Sequence, residues 1–111
     1  TLLEPDTWPM FAELAQALCG GLDPGRSSHR FHRGLVAGLC TWARAAADEY
    51  GIRAVALGGG VMNNATLARE LPEALAACGL TPLLPRLFPA GDGGLSLGQA
   101  AWLAWRGAEE G

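Results

Sequence analysis

The chain reads as an α/β protein in which short parallel strands carry helices packed on them. Three observations predict this. Helical patterns of apolar residues alternate with two short apolar runs, in the order helix, helix, strand, helix, strand, helix. The two runs are joined through a single helix, which implies parallel pairing and a right-handed crossover. Each run is followed by a glycine-rich turn that opens a helix: Gly58-Gly59-Gly60 after the first and Gly91-Asp92-Gly93-Gly94 after the second.

Asp6 or Thr7 can cap the first helix, and Pro9 sits in its opening turn, where a missing N–H costs little. Its apolar positions are Trp8, Phe11, Leu14, Ala15 and Leu18, and Gly20-Gly21 ends it. A long second helix is expected from Ser27 or Ser28 to Tyr50. Phe31, Leu35, Leu39, Trp42 and Ala46 repeat along one face, and Gly51 stops it. Residues 53–57 form a strand without polar alternation, as expected if both faces are covered. The third helix carries Leu67, Leu71, Leu75 and Cys78 on one side. Pro72 lies inside it, so a kink or a restart is expected there, and Gly79 closes it. Thr81–Leu84 is a second strand, ended by Pro85. After a loop over 85–92, a last helix runs from about Gly94 to Arg106. Gly94, Gly98 and Ala101 share a face of it, which permits close approach to another backbone. The tail Glu109-Glu110 is expected to fray. Two short strands make a poor sheet alone. Both read as buried, so further strands are expected beside them, from another part of the polypeptide or from a second copy.

With 111 residues the chain is one domain at most, and at 50% hydrophobic it can bury a core. The net charge of −3 argues against a nucleic-acid partner, since phosphate-backbone binding needs clustered positive charge. All eight basic residues are Arg, and they are scattered. Cys19, Cys40 and Cys78 lie far apart in helical, apolar surroundings and read as reduced core residues of a cytoplasmic protein. No apolar run approaches the roughly 18 residues of a membrane span. The start lacks the layout of a signal peptide and an initiator Met, which is the expectation for a piece of something longer.

The glycine turns carry the chemistry. Gly58, Gly59 and Gly60 leave no Cβ between their amides and a ligand. The helix beyond adds oriented N–H groups and a positive dipole end, which favour an anion such as phosphate. Asp92 and Asn64 can each cap the helix that follows, with or without a further role. His29 and His32 stand three apart, a spacing that can hold a metal, but no third ligand is near. His32 reads better as packing or hydrogen-bonding beside Phe31. The Trp residues at 8, 42, 102 and 105 read as core or interlobe contacts, exposed ones marking a surface for another lobe to cover.

Four segments together resemble one family. They are Arg30-Phe31-His32-Arg33-Gly34-Leu35, Gly59-Gly60-Val61-Met62-Asn63-Asn64, Leu83-Leu84-Pro85-Arg86, and Asp92-Gly93-Gly94-Leu95-Ser96-Leu97-Gly98-Gln99-Ala100. In this order and spacing they resemble the C-terminal end of the hydrogenase-maturation carbamoyltransferases (HypF), from about Trp8 to Trp105. The TsaD-type transferases, which pass threonylcarbamoyl to tRNA, are more distantly similar, and the last segment favours HypF over them.

The resemblance implies an actin/Hsp70-like (ASKHA) fold of two lobes around a cleft, with residues 1–111 forming the C-terminal part of a Kae/TsaD-like nucleotide-binding domain. It implies chemistry in which carbamoyl phosphate and ATP give carbamoyl adenylate, and the carbamoyl group passes to a C-terminal cysteine of the partner HypE. Onto this sequence it places Gly58, Gly59, Gly60, Asn64, Gly93 and Gly94 at the nucleotide and Asp92 at a divalent metal (Mg, Zn or Fe). The other metal ligands, a His pair, would come from the N-terminal lobe. This chain departs from the family in having Gly58 where Ser is usual and Gly91 where Asn is usual; each removes a polar side chain from the site. No nucleophile and no turnover are expected of the isolated segment. A non-catalytic reading is an assembly module whose sheet edge pairs with a partner or with itself.

Overall fold

The computed structural model describes residues 4–109. Among them the chain forms α1 (Trp8–Cys19), α2 (Pro24–Tyr50), β1 (Ala54–Ala56), α3 (Ala65–Ala77), β2 (Thr81–Leu83) and α4 (Leu95–Glu109). Short 3₁₀ turns, Gly60–Asn63 and Asp92–Gly94, precede α3 and α4. The expected order of elements, and an α/β fold with parallel strands, are therefore present. Thr1–Leu3 and Glu110 lie outside the described residues.

Local chemistry sets the helix ends. Asp6 accepts the Trp8 N–H at 3.0 Å, so Asp6 rather than Thr7 supplies the side-chain cap of α1. Gly21 takes a left-handed φ of 82°, and the Leu22 N–H returns to the Ala17 carbonyl, closing the helix. The second helix begins at Pro24, earlier than the expected Ser27 or Ser28. Asp23 caps it by accepting the Arg26 N–H at 3.1 Å, and Pro24 fits the first turn. Gly51 ends it with φ 67°. Pro72 does not interrupt α3, which runs unbroken to Ala77.

The core lies between α2 and α3 and consists of Val36, Cys40, Ala47, Leu67, Leu71, Leu75 and Leu80. The α3 side is the face read from the sequence. On α2 the buried stripe is Val36, Cys40 and Ala47, one position round from the expected Phe31, Leu35, Leu39, Trp42 and Ala46. Burial, reinforced by the neighbouring Cys78, pushes the Cys40 thiol above its usual range, so it packs as an unreactive apolar group. Cys19 is exposed, which corrects its reading as core. Helix α1 rests on α2 through the Phe11 and Phe31 rings, 5.7 Å apart, and the exposed Glu13–Arg30 ion pair.

The strands pair in parallel with Val55 opposite Pro82. The ladder is extended at both ends, by Thr81 N–H to the Arg53 carbonyl (2.8 Å) and by Leu57 N–H to the Leu83 carbonyl (2.8 Å). Only Val55 and Pro82 are half-buried, while their neighbours are exposed. The described residues by themselves do not cover both faces of the pair. The four Trp side chains are not core either: Trp8 is 74% exposed, Trp102 55%, Trp105 52% and Trp42 39%. Helix α4 buries no residue, and nothing approaches Gly98. Its small-residue face is open at Gly98, though not at Gly94.

Leu75 is 1% exposed and lies at the centre of the α2–α3 contact. Leu75→Ala is expected to lower unfolding free energy by about 3 kcal/mol, the usual range for a buried leucine, as read from urea denaturation.

Candidate functional site

Parallel pairing sends both chains out of the sheet at the same end, so the two glycine turns meet. The Gly59 N–H donates to the Ala90 carbonyl at 2.7 Å. A β-carbon at Gly91 would stand 3.5 Å from the Gly60 Cα. The turns border a cleft of about 1080 Å³, lined in part by Gly58 and Gly59 from the first and by Gly91, Asp92 and Gly94 from the second. Leu84, Leu87, Phe88, Leu95 and Trp102 form its apolar remainder. Its volume is at the upper end for a small-molecule cleft, and the mix of an apolar wall with a few polar groups is the usual composition of such sites. Gly58, Gly59, Asp92 and Gly94 therefore border one cleft, while Gly60 and Gly93 are not among its lining residues.

The individual glycines differ in what they do. Gly59 has φ 93° and ψ 163°, a region that residues with a Cβ avoid. Its amide is already engaged by Ala90. Gly60 opens the 3₁₀ turn, where the first amides have no partner within the helix. Gly94 is required by crowding: a β-carbon there would come within 2.5 Å of the Pro89 carbonyl oxygen and 3.1 Å of the Phe88 ring. Gly93 faces Pro89 less tightly, at 3.2 Å. Gly93 and Gly94 thus let the 85–91 loop lie against the start of α4, and the Gly94 N–H returns to the Gly91 carbonyl. At Gly58 the nearest atom to a β-carbon would be the Ala90 oxygen at 3.7 Å. Neither Gly58 nor Gly91 is demanded by lack of space.

Asp92 is exposed at the first position of its 3₁₀ turn. Among the described residues, no group of three or more His, Cys, Asp or Glu side chains converges. A single carboxylate does not make a divalent-metal site, so any further ligands must come from outside these residues. His29 and His32 do not form one either.

Asn64 is a cap. Its Oδ1 accepts from the Thr66 and Leu67 N–H groups at 3.0 and 3.2 Å, and its Nδ2 lies 3.0 Å from His32 Nε2. It does not line the cleft. The His32 contact was not foreseen. The two residues are 32 apart in sequence, and only the Phe31 neighbour, which His32 meets edge-on at 5.9 Å, was legible.

Crowding at Gly94 gives a direct test. Gly94→Ala is expected to destabilise by about 2 kcal/mol through overpacking. Gly98→Ala, in open space within a helix, is expected to stabilise by a few tenths of a kcal/mol or more. Urea unfolding of the two variants should move in opposite directions.

Residues 2–99 match the family model described as carbamoyltransferase, Kae1-like domain, second subdomain. A carbamoyltransferase HypF of Rhizobium leguminosarum bv. viciae is 56% identical over 72 residues, covering 65% of this chain and 10% of the relative. A carbamoyltransferase HypF2 of Cupriavidus necator is 41% identical over 107 residues, 90% of this chain and 13% of the relative. A HypF homolog from the same organism is 47% identical over 81 residues, 73% of this chain and 20% of the relative. The chain therefore spans between a tenth and a fifth of the length of these relatives. No solved structure matches. The family model and these relatives together show that the chain belongs to the HypF carbamoyltransferase family, as the second subdomain of its Kae1-like domain.

Proposed function

We propose that this chain supplies one wall of an ATP and carbamoyl-adenylate site in a carbamoyltransferase of hydrogenase maturation. The observation that carries the reading is the junction of the two glycine turns: Gly59 N–H to the Ala90 carbonyl at 2.7 Å, both turns bordering one cleft. Ligands of parallel α/β sheets gather beyond the carboxyl ends of the strands, where these turns stand.

In this reading Gly58 and Gly59 keep the wall free of side chains, and Gly60, packed beside Gly91 just outside the lining, would offer its amide to phosphate charge. Gly93 and Gly94 hold the opposite lip in place. Asp92 would contribute one oxygen to a divalent cation whose other ligands lie on a preceding lobe, and that cation would neutralise phosphate charge. The segment provides positioning and electrostatic stabilisation, with no nucleophile of its own. The acceptor would be the terminal cysteine of a HypE-like protein in the cytoplasm. No helix among the described residues is long and apolar enough to cross a membrane.

The exposed apolar surface supports a two-lobed, actin/Hsp70-like arrangement. Leu95, Leu97, Trp102 and Leu103 are 52–70% exposed on a helix that buries nothing. Leu95 and Trp102 share one side of the helix and Leu97 lies on the other, so apolar side chains are exposed around it, and a helix of that kind is normally covered by protein. Its proposed cover is the preceding lobe of the same polypeptide; self-association through the sheet edge is the alternative.

The test uses Gly58, where a side chain has room. In a full-length carbamoyltransferase carrying this segment, Gly58→Val should weaken ATP binding about ten-fold, or roughly 1.4 kcal/mol, by calorimetry. Gly58→Ser should bind at least as well as the parent. Equal affinity of all three proteins would remove this wall from the nucleotide site.

A further inference from the structure

We infer that His32 is a positioning residue that holds the Gly58–Asn64 turn in place by fixing the side chain of Asn64 from the neighbouring helix. The argument is one of donors and acceptors. The Asn64 oxygen accepts two backbone N–H groups, from Thr66 and Leu67. The atom that faces His32 is therefore the Asn64 nitrogen, which only donates. His32 Nε2 must then accept. At the other side of the ring, Nδ1 lies 2.8 Å from the Ser28 carbonyl, which can only accept, so Nδ1 carries the proton. The two demands agree on one neutral tautomer. The resulting chain runs from the Ser28 carbonyl on α2, through the imidazole, through the Asn64 amide, to the first amides of α3.

Two consequences follow for the site. The oxygen of Asn64 is saturated by the protein and the residue stands outside the cleft lining, so Asn64 acts as scaffold for the turn rather than as a direct nucleotide ligand. The turn's position relative to α2 is set by an imidazole 32 residues away. That this placement matters for a nucleotide rests on the function proposed above; the clip itself does not.

Long-range proton–nitrogen NMR of the chain reads the ring directly. His32 is expected to show a protonated Nδ1 and a bare Nε2. Asn64→Asp keeps the cap acceptor but turns the facing atom into an acceptor, so the variant is expected to gain a proton on Nε2. A purely space-filling histidine would not respond in this way. His32→Leu should speed hydrogen exchange of the Thr66 and Leu67 amides about ten-fold, one hydrogen bond's worth. His32→Gln, whose amide oxygen reaches the Nε2 position, should restore most of the protection. A bare Nδ1 in the parent, or unchanged exchange in His32→Leu, would overturn the assignment. If these readouts are as expected while the full-length protein shows no ATP affinity, the clip stands and the nucleotide reading falls.

Discussion

Parallel pairing of two three-residue strands is the constraint on which the site depends. An antiparallel pair would send its exits to opposite ends, and the two glycine turns would be separated by the sheet. The parallel register places Ala56 beside Leu83; β1 reaches its turn at Gly58 almost at once, whereas the loop over 84–90 carries the chain from β2 back to the second turn. Leu57 and Gly59 continue the contact beyond the strands with bonds to Leu83 and Ala90. The contact that joins the turns follows the ladder on the β1 side and is closed on the other by the returning 84–90 loop. Parallel pairing needs a crossover, and α3 supplies it, anchored by Leu67, Leu71 and Leu75 against α2. Core packing and site geometry are linked through that one helix.

The glycines divide by mechanism. Gly59 is needed for its backbone angles and Gly94 for the space its missing Cβ leaves to Pro89. Gly58 and Gly91 are needed for neither, which makes them the positions where the cleft can be altered without rebuilding it. The surroundings of the turns are dominated by apolar side chains, so any charged ligand held there would be oriented by a small number of polar groups. Remote from the cleft, Arg44 links α2 to the end of α3 by donating to the Cys78 carbonyl at 2.7 Å. The same guanidinium, helped by Arg53, holds the Asp48 carboxyl below its usual range.

Much of the fold was legible because local chemistry decided it. The leucines of α3 repeat every four residues with polar positions between them, and Gly51 and Gly79 stop helices with left-handed φ values. The buried face of α2 was not legible. Leu35, Val36, Leu39 and Cys40 offer two adjacent apolar stripes, and only the seat of α3 selects between them. The start of α2 was misplaced because Ser27 and Ser28 are good caps, yet Asp23-Pro24 is an earlier one. The Trp residues carry no local mark of whether a partner surface covers them. The turns could be found from sequence, as could Asn64 as a cap. The link from Asn64 to His32 could not, since tertiary packing alone brings them together.

Pro82 has a further meaning. The N–H of Thr81 points at β1, so by the alternation of a strand the nitrogen of Pro82 points the other way. That nitrogen bears no hydrogen, and the free margin of β2 therefore has a gap in its row of donors. An incoming strand would find an incomplete template there and a complete one along β1. The miniature sheet is directional in its capacity to grow: sealed by an imino acid on one flank, receptive on the other.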